Sequence, residues 1–223
     1  MKTTVRSLYS SLLLCGLLAW NPSGQAATCS HTITIPSNWS LIANHCDHPN
    51  GNTLNNVLAG VPECSQLVKW NKQTQSWDPI AIYKGGTWTP NYTLNPGEGA
   101  FFCNPGAPFT HTFTGNPHPP VLPLILPTNG YCIASRQTPG IGTWDSIVGS
   151  PPQDGDIVFK WDPVTQSYLP AYTYIAGIGW IDGLGQPAEP QANVGESIWI
   201  CRGAAGGGNI QPPEKLPCEP GCL

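Results

Sequence analysis

Leu67-Val68-Lys69-Trp70-Asn71, with Thr74-Gln75-Ser76-Trp77 behind it, returns later in the chain as Val158-Phe159-Lys160-Trp161-Asp162, with Thr165-Gln166-Ser167-Tyr168 behind it. In each copy an alternating apolar stretch ends on tryptophan, the period of a strand with one packed face. The Asn/Asp-led turn that follows folds the chain into a second strand. Working outward, Trp39-Ser40-Leu41-Ile42-Ala43 matches Tyr131-Cys132-Ile133-Ala134-Ser135. The stretch from Asn95 through Pro96-Gly97-Glu98-Gly99 to Cys103 likewise matches the one from Asn193 through Val194-Gly195-Glu196-Ser197 to Cys201. Polar starts with apolar positions at helical spacing, Asn52 to Leu58 and Thr143 to Val148, predict one short helix per copy. What recurs is packing and turn chemistry, not an array of reactive side chains.

This order, with short loops throughout, predicts an all-β, mainly antiparallel protein. It has two homologous tandem modules, each of about 5–6 strands with one short helix, packed with pseudo-twofold symmetry. Residues 1–26 read as a secretory signal peptide, 27–115 as β module 1, and 116–120 as a Pro-rich linker. Residues 121–205 read as β module 2, and 206–223 as a Gly/Pro-rich tail. Stacked prolines at 117, 119 and 120 favour an extended, stiff connection. Two copies are too few for a trefoil or a propeller.

The leader has a basic start at Lys2 and Arg6, an apolar stretch from Leu8 to Leu18, and small residues at Gly24 and Ala26 before the expected cut. Cys15 follows Leu14, where a lipid-modified cysteine wants a small residue before it. No later stretch approaches the roughly 20 apolar residues of a transmembrane helix. The expected location is therefore secreted, periplasmic or extracellular.

The formal net charge is −4, charged residues make up 10% of the chain, and Gly and Pro number 25 each. Lys69, Lys72, Lys84, Arg136, Lys160, Arg202 and Lys215 lie scattered, whereas a phosphate backbone calls for clustered cations. Nucleic acid is excluded as a partner on these grounds. Low charge combined with nine tryptophans points to a folded, turn-dense chain rather than a disordered one.

The repeat resembles a module of secreted bacterial β-repeat proteins without an established activity, in which Lys-Trp-Asn/Asp and a Pro-Gly-Glu-Gly turn recur in tandem. The resemblance rests on Trp39 to Ala43, Asn52 to Leu58, Val68 to Asn71, Asn95 to Phe102 and their second-copy counterparts. It implies an exported β-rich protein and assigns it no reaction.

The sequence holds nine cysteines; setting aside Cys15 in the leader leaves an even set, as an exported disulfide framework requires. Position in the repeat suggests Cys132–Cys201 joining first and last strands of module 2, and Cys29–Cys103 doing the same in module 1. Cys46–Cys64 would then staple the loop around the first helix, and Cys218–Cys222 would close on a Pro-Gly turn.

His45-Cys46-Asp47-His48 is the densest set of metal-ligand types. It lacks the second ligand pair of a zinc site, so it reads as a disulfide-anchored polar loop, with no metal or cofactor expected. Glu98 and Glu196 recur, but each precedes a strand in a turn where a carboxylate fixes backbone N–H groups. Asp154-Gly155-Asp156 lacks the alternating oxygen ligands of a calcium loop and reads as a turn. Nucleophile and phosphate-loop motifs are absent from the sequence. Asn38-Trp39-Ser40 and Asn91-Tyr92-Thr93 match the glycosylation sequon. Trp88 and Trp180, beside Gly-rich turns, read first as core or inter-module packing; on an exposed face they are the candidate sugar-stacking residues, with Tyr92 and Tyr174 nearby. The expected function is thus a non-catalytic structural or interaction role at the cell envelope or outside it. A carbohydrate-binding module is the alternative, with a polysaccharide or envelope component as partner; a secreted hydrolase ranks third.

Overall fold

In the computed structural model, which describes residues 28–202 and Cys218, strands dominate. The expected leader (1–26), and the tail (206–223) apart from Cys218, lie outside the described residues. The first half contains β1 (Cys29–Ile35), β2 (Asn38–Ala43), α1 (Leu54–Val57), β3 (Gln66–Val68), β4 (Trp70–Asn71) and β5 (Ser76–Trp77). It continues with β6 (Ala81–Lys84), β7 (Thr87–Thr89), β8 (Gly99–Asn104) and β9 (Phe109–Gly115). The second half contains β10 (Gly130–Ala134), β11 (Gly142–Thr143), α2 (Trp144–Val148), β12 (Ile157–Phe159) and β13 (Trp161–Asp162). Then come β14 (Ser167–Tyr168), β15 (Tyr172–Ile175), β16 (Gly179–Ile181), β17 (Gln191–Ala192) and β18 (Ile198–Arg202).

Two five-stranded antiparallel sheets result, ordered β2-β8-β3-β6-β7 and β10-β18-β12-β15-β16. In both, the strand last in the chain inserts beside the one that comes first, leaving β2 and β10 at a sheet edge. The inserted strands are packed on both faces, so Ala100-Phe101-Phe102-Cys103 and Ile198-Trp199-Ile200-Cys201 read as unbroken apolar runs instead of alternating.

The sheets meet through one shared core. Trp39, Val68 and Phe101 of the first lie against Phe159, Trp161 and Trp199 of the second. Trp70 and Trp77 cross Trp199 edge-on at 5.3 and 5.5 Å, and Phe101 crosses Trp161 at 5.3 Å, the geometry that ring quadrupoles favour. Each outer face has its own core. Leu54, Val57 and Leu58 cover Leu67 and Phe102, while Trp144, Ile147 and Val148 cover Val158 and Ile200. Thr143 and Ser146 form a capping box at the start of α2, and Gly149 closes it at φ 72°, where glycine avoids the Cβ clash.

One element departs from expectation. β1 and β9 form a separate two-stranded ribbon that closes the outer core of the first half through Ile35 and Phe113. Its opposite face carries threonines, with Thr32 and Thr112 joined at 2.8 Å between their hydroxyls.

The ribbon also resets the disulfides. Cys29 pairs in register with Gly115, and Asp47 exchanges both backbone hydrogen bonds with Asn116. This places Cys46 beside Cys29, and the two are bonded at a Cα–Cα distance of 5.5 Å. Cys46 is therefore unavailable to Cys64, and Cys29 to Cys103. Cys103 is bonded instead to Cys218 across 5.8 Å, so Cys218 does not close on Cys222. Cys132 and Cys201 are free thiols. Cys201 lies opposite Tyr131, and Cys132 opposite Ile200, so the two sulfurs point to opposite faces of the sheet. The expected Cys132–Cys201 link fails on that alternation.

Candidate functional site

The repeated hairpins do not serve their own sheets; each reaches across to the other. Gln75 accepts from the Tyr131 N–H at 2.7 Å and donates to the Tyr131 carbonyl at 3.0 Å. Gln166 does the same to Trp39, accepting at 3.1 Å and donating at 2.8 Å. The indole N–H groups join in: Trp70 donates to the Tyr131 carbonyl at 3.0 Å and Trp161 to the Trp39 carbonyl at 2.9 Å. A primary amide carries an acceptor oxygen and two N–H donors; the oxygen and one donor meet the strand as a neighbouring strand would, so each glutamine caps an edge strand that would otherwise be open. To do so Gln75 and Gln166 take left-handed backbones, φ 52° and 56°, uncommon for residues with a Cβ.

Asn71 and Asp162 shape the turns that present these glutamines. Asn71 Oδ1 accepts from the Gln73 and Thr74 N–H groups, and Asp162 Oδ1 from the Val164 N–H. The Thr165 hydroxyl, then the Val164 N–H, hold the Asp162 carboxyl below its ordinary pKa.

The Gly-Glu turns form the second pair of contacts. Glu98 accepts from the Asn95 N–H at 2.9 Å and pairs with Lys69 at 2.9 Å. Glu196 accepts from the Asn193 N–H at 2.8 Å and pairs with Lys160 at 3.3 Å. The preceding carbonyls cross between halves, Gly97 accepting from Ser135 at 2.9 Å and Gly195 from Ala43 at 2.8 Å. Gly195 has φ +76°, and a Cβ there would collide with Ile33, so both conformation and space require glycine.

Where a hairpin and a turn from one half flank the edge strand of the other, two clefts open. The smaller, about 280 Å³, is bounded by Lys69, Asp78 and Glu98 and by Ser135 and Gln137. The larger, about 450 Å³, is bounded by Lys160, Asp162 and Glu196 and by Ser40 and Ile42.

Beside the larger cleft His45 is fully buried. Its Nε2 accepts from the Gly195 N–H at 3.3 Å, which requires the neutral ring. Burial, then the neighbouring His31 with ring centres 4.6 Å apart, lowers the His45 pKa to about 4. In the rest of that segment Cys46 is oxidised, Asp47 accepts from Asn52, and His48 accepts from the Asn50 N–H. Among the described residues no group of three or more His, Cys, Asp or Glu is arranged to hold a metal. Asp156 fixes the Gln153 N–H and pairs with Arg202 at 3.0 Å, so Asp154-Gly155-Asp156 is a turn tied to β18. Burial raises the Cys132 thiol to about 12 and also raises Cys201.

The candidate stacking residues do not assemble. Trp88 is 2% exposed, packed among Tyr83 and Phe102 with its N–H on the Leu58 carbonyl. Its ring is therefore unavailable to a sugar. Trp180 is half-buried against Trp144 and Tyr174, at 5.1 and 5.4 Å, and belongs to the outer core of the other half. Tyr92 is half-buried and donates to the Pro79 carbonyl at 3.0 Å. The pair that does form is Tyr174 with Trp180, facing each other across β15 and β16 as Tyr83 faces Trp88 across β6 and β7. Gln75 and Gln166, which tie the two halves, are absent from the sequence-derived candidates, and His45 stands among them only as a metal-ligand type. The signal for the glutamines is the Thr-Gln-Ser that stands in both copies.

No protein-family model matches the chain, and neither a curated protein nor a solved structure matches it.

Proposed function

We propose that this chain is an exported tandem duplication of one β module, its two copies related by a pseudo-twofold axis, acting as a non-catalytic structural or interaction protein at the cell envelope or outside it. The observation that carries the reading is the use made of the repeated polar residues. Gln75 and Gln166, Lys69 and Lys160, and Glu98 and Glu196 are spent on intramolecular bonds that join the halves or pin the turns between them. A duplication kept for a reaction centre would preserve groups facing a substrate; this one preserves a joint. The Cys29–Cys46 and Cys103–Cys218 disulfides, of the kind found in oxidising compartments, support export.

The test is to express the full chain in a secreting bacterium, fractionate the cells, and assay the exported protein against chromogenic ester, glycoside and peptide substrates. The expected result is an oxidised protein outside the cytoplasm with no turnover above blank. Turnover that co-purifies with the protein and is lost on mutating a cleft carboxylate would overturn the non-catalytic reading.

A further inference from the structure

We propose that the joint carries a one-sided acid latch: a proton on the His45 ring releases the turn at residues 193–196 from the first half and widens the larger cleft, while the matching turn at residues 95–98 stays closed. The inference rests on the joint itself and not on the non-catalytic reading or on export.

Gly97 and Gly195 stand at the same place in the repeat, and their carbonyls cross between halves alike, to the Ser135 and Ala43 N–H groups. Their own N–H groups are held differently. Gly97 donates to the Asn44 carbonyl of its own half at 2.8 Å. Gly195 donates to His45 Nε2 of the other half at 3.3 Å. Extending the match of Trp39–Ala43 with Tyr131–Ser135 by two residues makes Gln137 the counterpart of His45. Gln137 does not titrate, and its amide binds both backbone groups of Val121, at 2.8 and 2.9 Å. One turn thus hangs on a carbonyl and the other on an imidazole, the side chain that changes charge near neutral pH.

Protonation turns the ring's acceptor into a donor. The Ser135 hydroxyl oxygen, 3.3 Å from Nε2, is placed to take the new N–H, because its own proton goes to the Glu196 carbonyl at 2.6 Å. The Gly195 N–H then faces a donor, and a buried N–H without an acceptor favours release. No neighbour offsets the charge. His31 from β1 and Arg136 from the loop after β10 oppose it, and the Thr138 carbonyl, which favours it, is outweighed. His111 from β9 opposes a charge on His31 in turn. The carboxylates nearby are engaged elsewhere, Glu196 with Lys160 and the Asn193 N–H, and Asp47 with Asn52. The turn that would move supplies Asn193, Val194, Gly195 and Glu196 to the wall of the larger cleft.

Amide hydrogen exchange of the full oxidised chain tests this, followed by NMR at pH 7 and pH 5 and corrected for intrinsic rates. Both values lie above the ordinary carboxylate range of about 4. A released ring returns to its ordinary 6.5, against about 4 in the closed joint. The Gly195 protection factor should therefore fall about twentyfold from pH 7 to pH 5, and that of Ala43 with it. The Gly97 and Ser135 amides, on the matching side, should stay within about twofold. His45→Gln supplies an acceptor that does not titrate, so Gly195 should then be equally protected at both pH values. The proposal is overturned if wild-type Gly195 protection changes by less than about twofold, or if Gly97 and Ser135 lose protection in parallel with it. It is equally overturned if His45→Gln keeps the pH dependence; should that variant fail to fold, the comparison of the two sides within the wild-type chain still decides.

Discussion

Replacing Gln166 with alanine tests the joint between the halves most directly. The carboxamide makes two bonds to Trp39 and a third to the Pro163 carbonyl at 2.7 Å. Each such bond contributes about 0.5–1.5 kcal/mol net, and a buried donor left unpaired costs about 1–3 kcal/mol. The Trp39 carbonyl keeps the Trp161 indole N–H, so the orphan is the Trp39 N–H. The expected loss is about 2–3 kcal/mol, or roughly 4–12 °C in Tm for a chain of this size. Gln166→Gly removes the same bonds but relieves the left-handed backbone, worth about 1–2 kcal/mol. It should therefore be less damaging than alanine by about 1 kcal/mol or more, an ordering opposite to that of most strand positions. Equilibrium urea unfolding of the oxidised protein, followed by tryptophan fluorescence, measures both. If Gln166→Ala stays within about 0.5 kcal/mol of wild type, or if glycine is worse than alanine, the glutamine is not the clasp described here.

Stability should also depend on acid. The His45 pKa lies below its ordinary 6.5, at about 4, so in that window the unfolded chain binds the extra proton. Stability is full above 6.5 and falls as pH drops towards 4, by on the order of 3 kcal/mol; His45→Gln should flatten that stretch of a urea-midpoint-against-pH curve. Non-reducing peptide mapping should recover Cys29–Cys46 and Cys103–Cys218, with Cys132 and Cys201 alkylated only after unfolding; a Cys132–Cys201 peptide would contradict the strand register. Trp88→Ala should cost about 3–5 kcal/mol by emptying the core, with a smaller loss for the half-buried Trp180→Ala, both read from thermal unfolding.

The all-β class and most strand positions are legible because alternation at Val68-Lys69-Trp70 and Val158-Phe159-Lys160-Trp161 is a local property. The carboxylates of Glu98 and Glu196 are legible as turn fixers for the same reason: their backbone partners lie three residues away. The β1–β9 ribbon escapes notice although Thr32, Thr34, Thr110, Thr112 and Thr114 mark its outer face, because its strands lie far apart in sequence and have no counterpart among the described residues of the second copy. Repeat position carries no face parity, and Cys132 and Cys201, which position alone would pair, lie on opposite faces of their sheet. Trp88 shows the limit of composition: beside a Gly-Gly turn the sequence allows either core packing or an exposed face, and the choice is made by Tyr83 and Phe102, which close over its ring. The role of the glutamines is illegible locally, since each acts on a strand of the other half.

Because the edge strands β2 and β10 are each finished by a glutamine from the other half, a half cut from its partner should be left with an open strand border. While the protein is being made, the leading half waits with an unpaired strand border and a bare aromatic surface, both adhesive to any similar chain nearby. Separated halves should therefore be sticky alone and well behaved only when mixed, and two crowded chains could trade halves at little energetic penalty.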